Sequence, residues 1–242
     1  MMLFVAISLA AHLALSAQSA VPNGMVRLAG GTFTMGTDAA KIDELMARFG
    51  TKRRELFAVE MPVHDVALQP FFIDRTEVTN GDFNQWMTKA YAPGEAGHPV
   101  TFVTWMQANA YCESIGKRLP SEAEWEFAAG GGRAAEFPWG DAVPQASTAN
   151  WLGAGIGRPT RVGSYAPNAA GLYDMSGNVW EFVADDWNDD YTPAPASVSS
   201  PDRKVIRGGS FGGSPINLRV RYRDSHPANG PGPHVGFRCA RS

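Results

Sequence analysis

The side chains able to do chemistry fall into three groups. Cys112 and Cys239 are the chain's two cysteines. In a helical reading of 105–115, Trp105, Ala108, Cys112 and Ile115 share one apolar stripe. Val235, Phe237 and Cys239 alternate with Gly236, Arg238 and Ala240, which puts Cys239 on the apolar face of a strand. Two thiols aimed into the core from distant parts of the chain would, in an exported protein, suit a disulfide better than a metal site, with two inert buried thiols as the alternative. The second group is Arg219, Arg221 and Arg223, which alternate. Two of the three can face a cleft and hold an anionic or carboxylate ligand through paired hydrogen bonds. Bracing of loops through backbone carbonyls is the competing reading. The third group is His64, His98, His226 and His234. Two imidazoles and a carboxylate around open positions make a non-haem iron site. The spacing of His226 and His234 in a loop rich in Pro and Gly has no such signature, and iron is not expected.

The elements that must position these groups are short. Met25–Leu28 and Thr32–Met35 flank Gly30-Gly31 and suggest a hairpin. Ile42, Leu45, Met46 and Phe49 recur at helical spacing over 41–49, and Thr51–Arg54 reads as its solvated basic end. Val63–Leu68 and Phe71–Asp74 read as strands. Thr79 with Asp82 opens a helix bearing Phe83, Trp86 and Met87. Another helix runs from about Trp105 to Ile115 and stops at Gly116. Ser121 and Glu124 form a capping box for a helix ending at Gly130-Gly131-Gly132. Beyond it, turns and short strands prevail, with no internal repeat and no linker, so residues 21–242 read as one domain.

Composition agrees with a loop-rich fold packed on aromatic rings: 26 Gly, 17 Pro and 7 Trp accompany 44% hydrophobic residues, enough for a sizeable core. A net charge of −3 without a basic run argues against nucleic-acid binding. The apolar run Met1–Leu15, followed by Ser16-Ala17-Gln18-Ser19-Ala20, reads as a signal peptide over residues 1–20 and is short for a membrane span. The expected location is periplasmic or secreted, with no membrane span in the mature chain.

Five segments carry a resemblance. They are Gly30-Gly31-Thr32-Phe33-Thr34-Met35-Gly36, then Glu77-Val78-Thr79-Asn80, then Gly116-Lys117-Arg118-Leu119-Pro120-Ser121-Glu122-Ala123-Glu124-Trp125-Glu126. Next comes Gly171-Leu172-Tyr173-Asp174-Met175-Ser176-Gly177-Asn178-Val179-Trp180-Glu181, and last Arg207-Gly208-Gly209-Ser210-Phe211 with Val235-Gly236-Phe237-Arg238-Cys239. In order and spacing they resemble the formylglycine-generating-enzyme (sulfatase-modifying-factor) family. That resemblance implies an α+β, C-type-lectin-like fold with little regular secondary structure. It also implies a structural Cys112–Cys239 disulfide. It places Trp180, Ser210 and His234 around a substrate groove, with Arg219 and Arg223 as further candidates. Asp174, the carbonyls of Gly177 and Val179, and Glu181 match a calcium site, a donor set suited to a hard cation; capping of the Asn178 turn is the alternative. A second family calcium site would begin at Asn150-Trp151, but no Asp or Glu lies between Asn150 and Asp174.

One departure bears on activity. The family's catalytic copper is held by two further cysteines after the Gly-Gly-Ser turn, and Phe211–Arg223 contains none. Copper(I) needs soft thiolates, so copper-dependent cysteine oxidation is not expected. The iron-dependent relatives take their histidines from a separate helical domain that is missing here. The leading reading is an exported domain that binds a peptide, a protein or a small polar ligand in the groove. The alternatives are an oxidoreductase of oxidative maturation, like the family's pyoverdine-maturation member or a divergent formylglycine-generating oxidase, and a structural partner of an active homologue.

Overall fold

The computed structural model describes residues 21–191 and 200–242. The segment read as a signal peptide lies outside them. Two stretches of chain, 25–35 and 64–74, run antiparallel in one register but are bent into separate sheets. Strand β1 (Met25–Leu28) pairs with β4 (Phe71–Asp74), and β2 (Gly31–Met35) pairs with β3 (His64–Leu68). The expected β1–β2 hairpin therefore does not form. Its glycines serve the bend: Gly30 has φ +69°, and a Cβ there would lie 2.4 Å from the Leu68 carbonyl oxygen. A side chain cannot fit so close to a facing backbone. Between the two stretches run α1 (Ile42–Arg48) and, after the largely exposed Thr51–Arg54, a one-turn helix, α2 (Glu55–Ala58).

Capping chemistry fixes the next three helices. The Thr79 hydroxyl accepts from the Asp82 N–H at the start of α3 (Asn80–Trp86). Thr104 and Gln107 form a full capping box on α4 (Trp105–Ser114), and Ser121 with Glu124 forms another on α5 (Glu122–Gly130). Helix α5 stops where Gly131 enters the left-handed region at φ +60°. Within α4, Ala108, Tyr111 and Cys112 are buried, whereas Ile115 at its C-cap is 45% exposed and falls off the expected stripe.

A four-stranded sheet in the order β7-β6-β5-β8 completes the fold. Its strands are β5 (Trp180–Trp187), β6 (Ser200–Arg207), β7 (Arg223–Pro227) and β8 (Val235–Phe237), with β5 and β8 parallel. The chain ends in β9 (Ala240–Arg241), which joins β4 so that both ends of the domain share a sheet. Cys112 on α4 and Cys239 beyond β8 are bonded, with Cα atoms 5.7 Å apart, inside an apolar cluster that includes Phe83, Leu119 and Phe237. No helix among the described residues is long and apolar enough to cross a membrane.

Buried arginines tie the irregular segments to these elements. Arg207 reaches Glu122 and Glu126 on α5, and Arg223 forks onto Glu122. Arg219 joins Glu60 to Glu136, and Arg238 forks onto Glu181. Paired, hydrogen-bonded charges of this kind satisfy backbone and carboxylates that a loop-rich fold cannot satisfy by ladders alone.

Candidate functional site

One end of the four-stranded sheet gathers the start of β5, the end of β6 and the starts of β7 and β8. Trp180, Ser210, His226 and His234 meet there around an open cleft of about 430 Å³. The turn after β6 makes this possible. Gly208 and Gly209 sit at φ +91° and +72°, and a Cβ on Gly209 would lie 2.9 Å from the Asn217 carbonyl oxygen. Ser210 is buried, and its hydroxyl accepts from the Gly212 N–H at 3.3 Å. The His234 ring stacks on Phe211, centroids 4.4 Å apart, and its buried Nδ1 has no hydrogen-bond partner. His226 bonds through Nε2 to the Gly230 carbonyl at 2.8 Å. The Trp180 indole leans on Tyr222 at 6.0 Å. Burial and the nearby Asp224 carboxylate push the Tyr222 hydroxyl up to about 12, so it stays neutral.

Trp180, Ser210 and His234 are thus brought together as the sequence suggested. Arg219 and Arg223 are not. They are 1% and 2% exposed, locked onto Glu60, Glu136 and Glu122, and neither lines the cleft. Their charge is already matched from inside the fold, so they offer no free fork to a ligand. Asp224 and Asn217 line the cleft and were missed. Asp224 was within reach of a sequence argument, because it alternates with His226 on one strand face. Among the described residues no hydrogen bond joins Ser210 to an imidazole, and no group of three or more His, Cys, Asp or Glu is placed to hold a metal ion. His64 sits elsewhere, bonded to the Pro62 carbonyl and edge-on to Tyr191. The cleft as built can bind: it offers an indole face, a hydroxyl, a carboxylate and an unsatisfied imidazole nitrogen.

The residues matched to calcium sit deeper, with Glu181 already engaged by an internal cation. Both carboxylate oxygens of Glu181 accept from Arg238 at 2.7 Å, and Oε2 also accepts from the Trp125 indole at 2.8 Å. A guanidinium therefore engages both oxygens of Glu181. Asp174, at φ +54°, accepts from the Gly163 N–H. Gly177 is pressed against the Asn150 carbonyl, and Val179 is fully buried. Asn150 is bonded to Arg158 and Asn178.

Glu77, quoted only as part of a motif, belongs to this cluster. Its Oε1 accepts from Asn178 Nδ2 at 2.8 Å, and its buried Oε2 meets no donor. Burial, with Asp174 close by, holds the Glu77 carboxyl well above its usual range, and burial raises Asp174 as well. A proton on Glu77 bridging to Asp174 satisfies both side chains. The folded state then binds more protons than the unfolded chain between the unfolded value, about 4.3, and the raised folded value. Its contribution is full below the unfolded value and is lost as pH rises through the folded one. Glu77→Gln keeps the acceptor for Asn178 and supplies an amide donor for Asp174. It should raise the melting temperature at pH 8, leave it little changed at pH 4.5, and so flatten the profile. An equal drop at both pH values would show that the ionised carboxylate is needed.

An α+β domain with short elements, a C-type-lectin-like fold and a cleft at one sheet end defines the class. The sequence matches the "Sulfatase-modifying factor enzyme 1-like domain" family over residues 11–242, and the chain belongs to that family. It is 32% identical to the formylglycine-generating enzyme of Thermomonospora curvata, covering 91% of this chain and 94% of that one. It is 36% identical to serine/threonine-protein kinase pkn1 of Chlamydia pneumoniae over 90% of this chain, but spans only 38% of the kinase's length. Among solved structures, PvdO of Pseudomonas aeruginosa superposes with a TM-score of 0.73 at 33% identity, covering 90% of this chain and 94% of PvdO.

Proposed function

We propose that this domain binds an extended peptide or a small polar ligand in the cleft of Trp180, Ser210 and His234. The observation that carries the reading is the buried, unpartnered Nδ1 of His234 beside an indole face. A polar atom left unsatisfied in the free protein costs about 1–3 kcal/mol, which a bound donor or acceptor recovers. Copper-dependent oxidation of a cysteine is not part of this reading: copper(I) is held by thiolates, and the pairing of Cys112 with Cys239 supports its loss. The same bond supports a role outside the reducing cytosol. Selection of a phage-displayed random peptide library against the wild-type domain is the test. Enriched peptides should bind His234→Leu and Trp180→Ala at least about tenfold more weakly, roughly 1.4 kcal/mol, with the melts of both variants recorded. His234→Leu removes no hydrogen bond made by the ring in the free protein, so it reports on the cleft even if Trp180→Ala weakens the fold. Absence of enrichment, or peptides indifferent to both changes, would refute the peptide form of the reading.

A second reading is an enzyme of oxidative maturation acting in the same cleft. The likeness to PvdO and the placement of Asp224 and His226 beside His234 favour it. Metal analysis of the purified protein separates the two, since stoichiometric copper or iron would support the enzyme.

A further inference from the structure

A second cavity, of about 580 Å³, shares no lining residue with the cleft. Its walls come from β2, the turn into α1, the glycine-rich end of α5 and the segment before β7. Phe33 and Phe127 meet edge to face on one wall, centroids 5.3 Å apart, with Leu45 also lining the space. Four cations also line it, Lys41, Arg133, Arg219 and Arg221, of which Arg219 is already held by Glu60 and Glu136.

The acids of this wall are all engaged. Glu126 accepts from the Gly36 N–H and pairs with Arg207, Glu136 pairs with Arg219, and Asp38 caps the Ala40 N–H. Behind the wall, Glu60 shares Arg219, and burial pushes its carboxyl up, toward the neutral form. Lys41, Arg133 and Arg221 have no side-chain hydrogen bond or ion pair among the described residues. The alternation of 219, 221 and 223 thus divides the arginines: the outer two are matched inside the core, and the middle one faces this cavity uncommitted.

We propose that this cavity is a binding site for an amphiphilic anion. An aromatic or aliphatic body would lie on Phe33 and Phe127, and a phosphate, sulfonate or carboxylate head would be held by Lys41, Arg133 and Arg221. Guanidinium forks match oxyanions in geometry as well as charge. The volume falls within the roughly 300–1,000 Å³ of small-molecule pockets. The proposal does not depend on the peptide reading of the cleft.

Calorimetric titration of the full chain tests it, with 1-naphthyl phosphate, 1-naphthalenesulfonate, neutral 1-naphthalenemethanol and inorganic phosphate as probes. The two aryl anions should bind more tightly than either the neutral alcohol or phosphate, and the two should be told apart by which oxyanion the arginines prefer. Lys41→Gln with Arg221→Gln should weaken them about tenfold or more, whereas His234→Leu should leave them unchanged. Lys41 and Arg221 make no internal side-chain bonds, so the variant is expected to keep the wild-type melt. Equal binding of the neutral alcohol, indifference to the double variant, or loss on His234→Leu would each overturn the assignment.

Discussion

Arg238→Met should lower the stability of the domain by about 3–5 kcal/mol, the usual consequence of stripping one partner from a buried ion pair. Arg238 is fully buried, and its guanidinium makes five bonds. Two go to Glu181 at 2.7 Å, one to the Tyr173 carbonyl at 2.9 Å, and one each to the carbonyls of Asp74 and Arg75 at 3.2 Å. Methionine fills much of the volume and satisfies none of these acceptors. Glu181 would keep only the Trp125 indole, and Asp174 and Glu77 would lose their nearest cation. Against a total stability of about 5–15 kcal/mol, a loss of that size raises the unfolded population by about a hundredfold or more. Lysine should rescue little, because an ammonium cannot fork onto a carboxylate and reach three carbonyls together. Adding Glu181→Gln to Arg238→Met should restore part of the loss by removing the unpaired charge. Denaturant unfolding of the single and double variants checks this. A single variant within about 1 kcal/mol of wild type would mean that water replaces the guanidinium, and that the cluster is less closed than its burial indicates.

Reducing the Cys112–Cys239 bond, or replacing both cysteines by alanine, should lower stability by about 5 kcal/mol on the chain-entropy account. The bond spans 127 residues and ties α4 to the strand region that ends the chain. Both residues are wholly buried in the cluster around Phe83 and Phe237, so substitution also leaves small voids. Guanidinium melts of oxidised and reduced protein at one pH give the difference directly. A shift below about 1 kcal/mol would show that the reduced chain keeps enough residual structure to make the constraint redundant.

What could be read in the sequence was what local chemistry encodes. Ser121 and Glu124 announce α5, Thr79 and Asp82 announce α3, and both caps form. The family motifs identified the fold, the Cys112–Cys239 bond, and the meeting of Trp180, Ser210 and His234. What was illegible depended on long-range charge matching. Arg219 and Arg223 have the alternation of ligand-binding residues, but their partners, Glu60, Glu122 and Glu136, lie far away in sequence. Arg238 was read only as part of a motif, yet it is the buried partner of Glu181. The β1–β2 hairpin failed for a similar reason, since Gly30 serves a close approach to Leu68 rather than a tight turn. Local patterns say which residues are special without saying to which distant group each answers.

We propose that thiol-based oxidation of a cysteine has been lost from the fold that this chain shares with formylglycine-generating enzymes. Incubating the oxidised protein with copper(I), oxygen and a cysteine-containing sulfatase peptide, then weighing the peptide by mass spectrometry, tests it most directly. The peptide should be recovered with its cysteine unconverted, because no thiolate of this chain remains to hold the metal. A formylglycine aldehyde that forms only when the protein, copper and oxygen are all present would contradict the account.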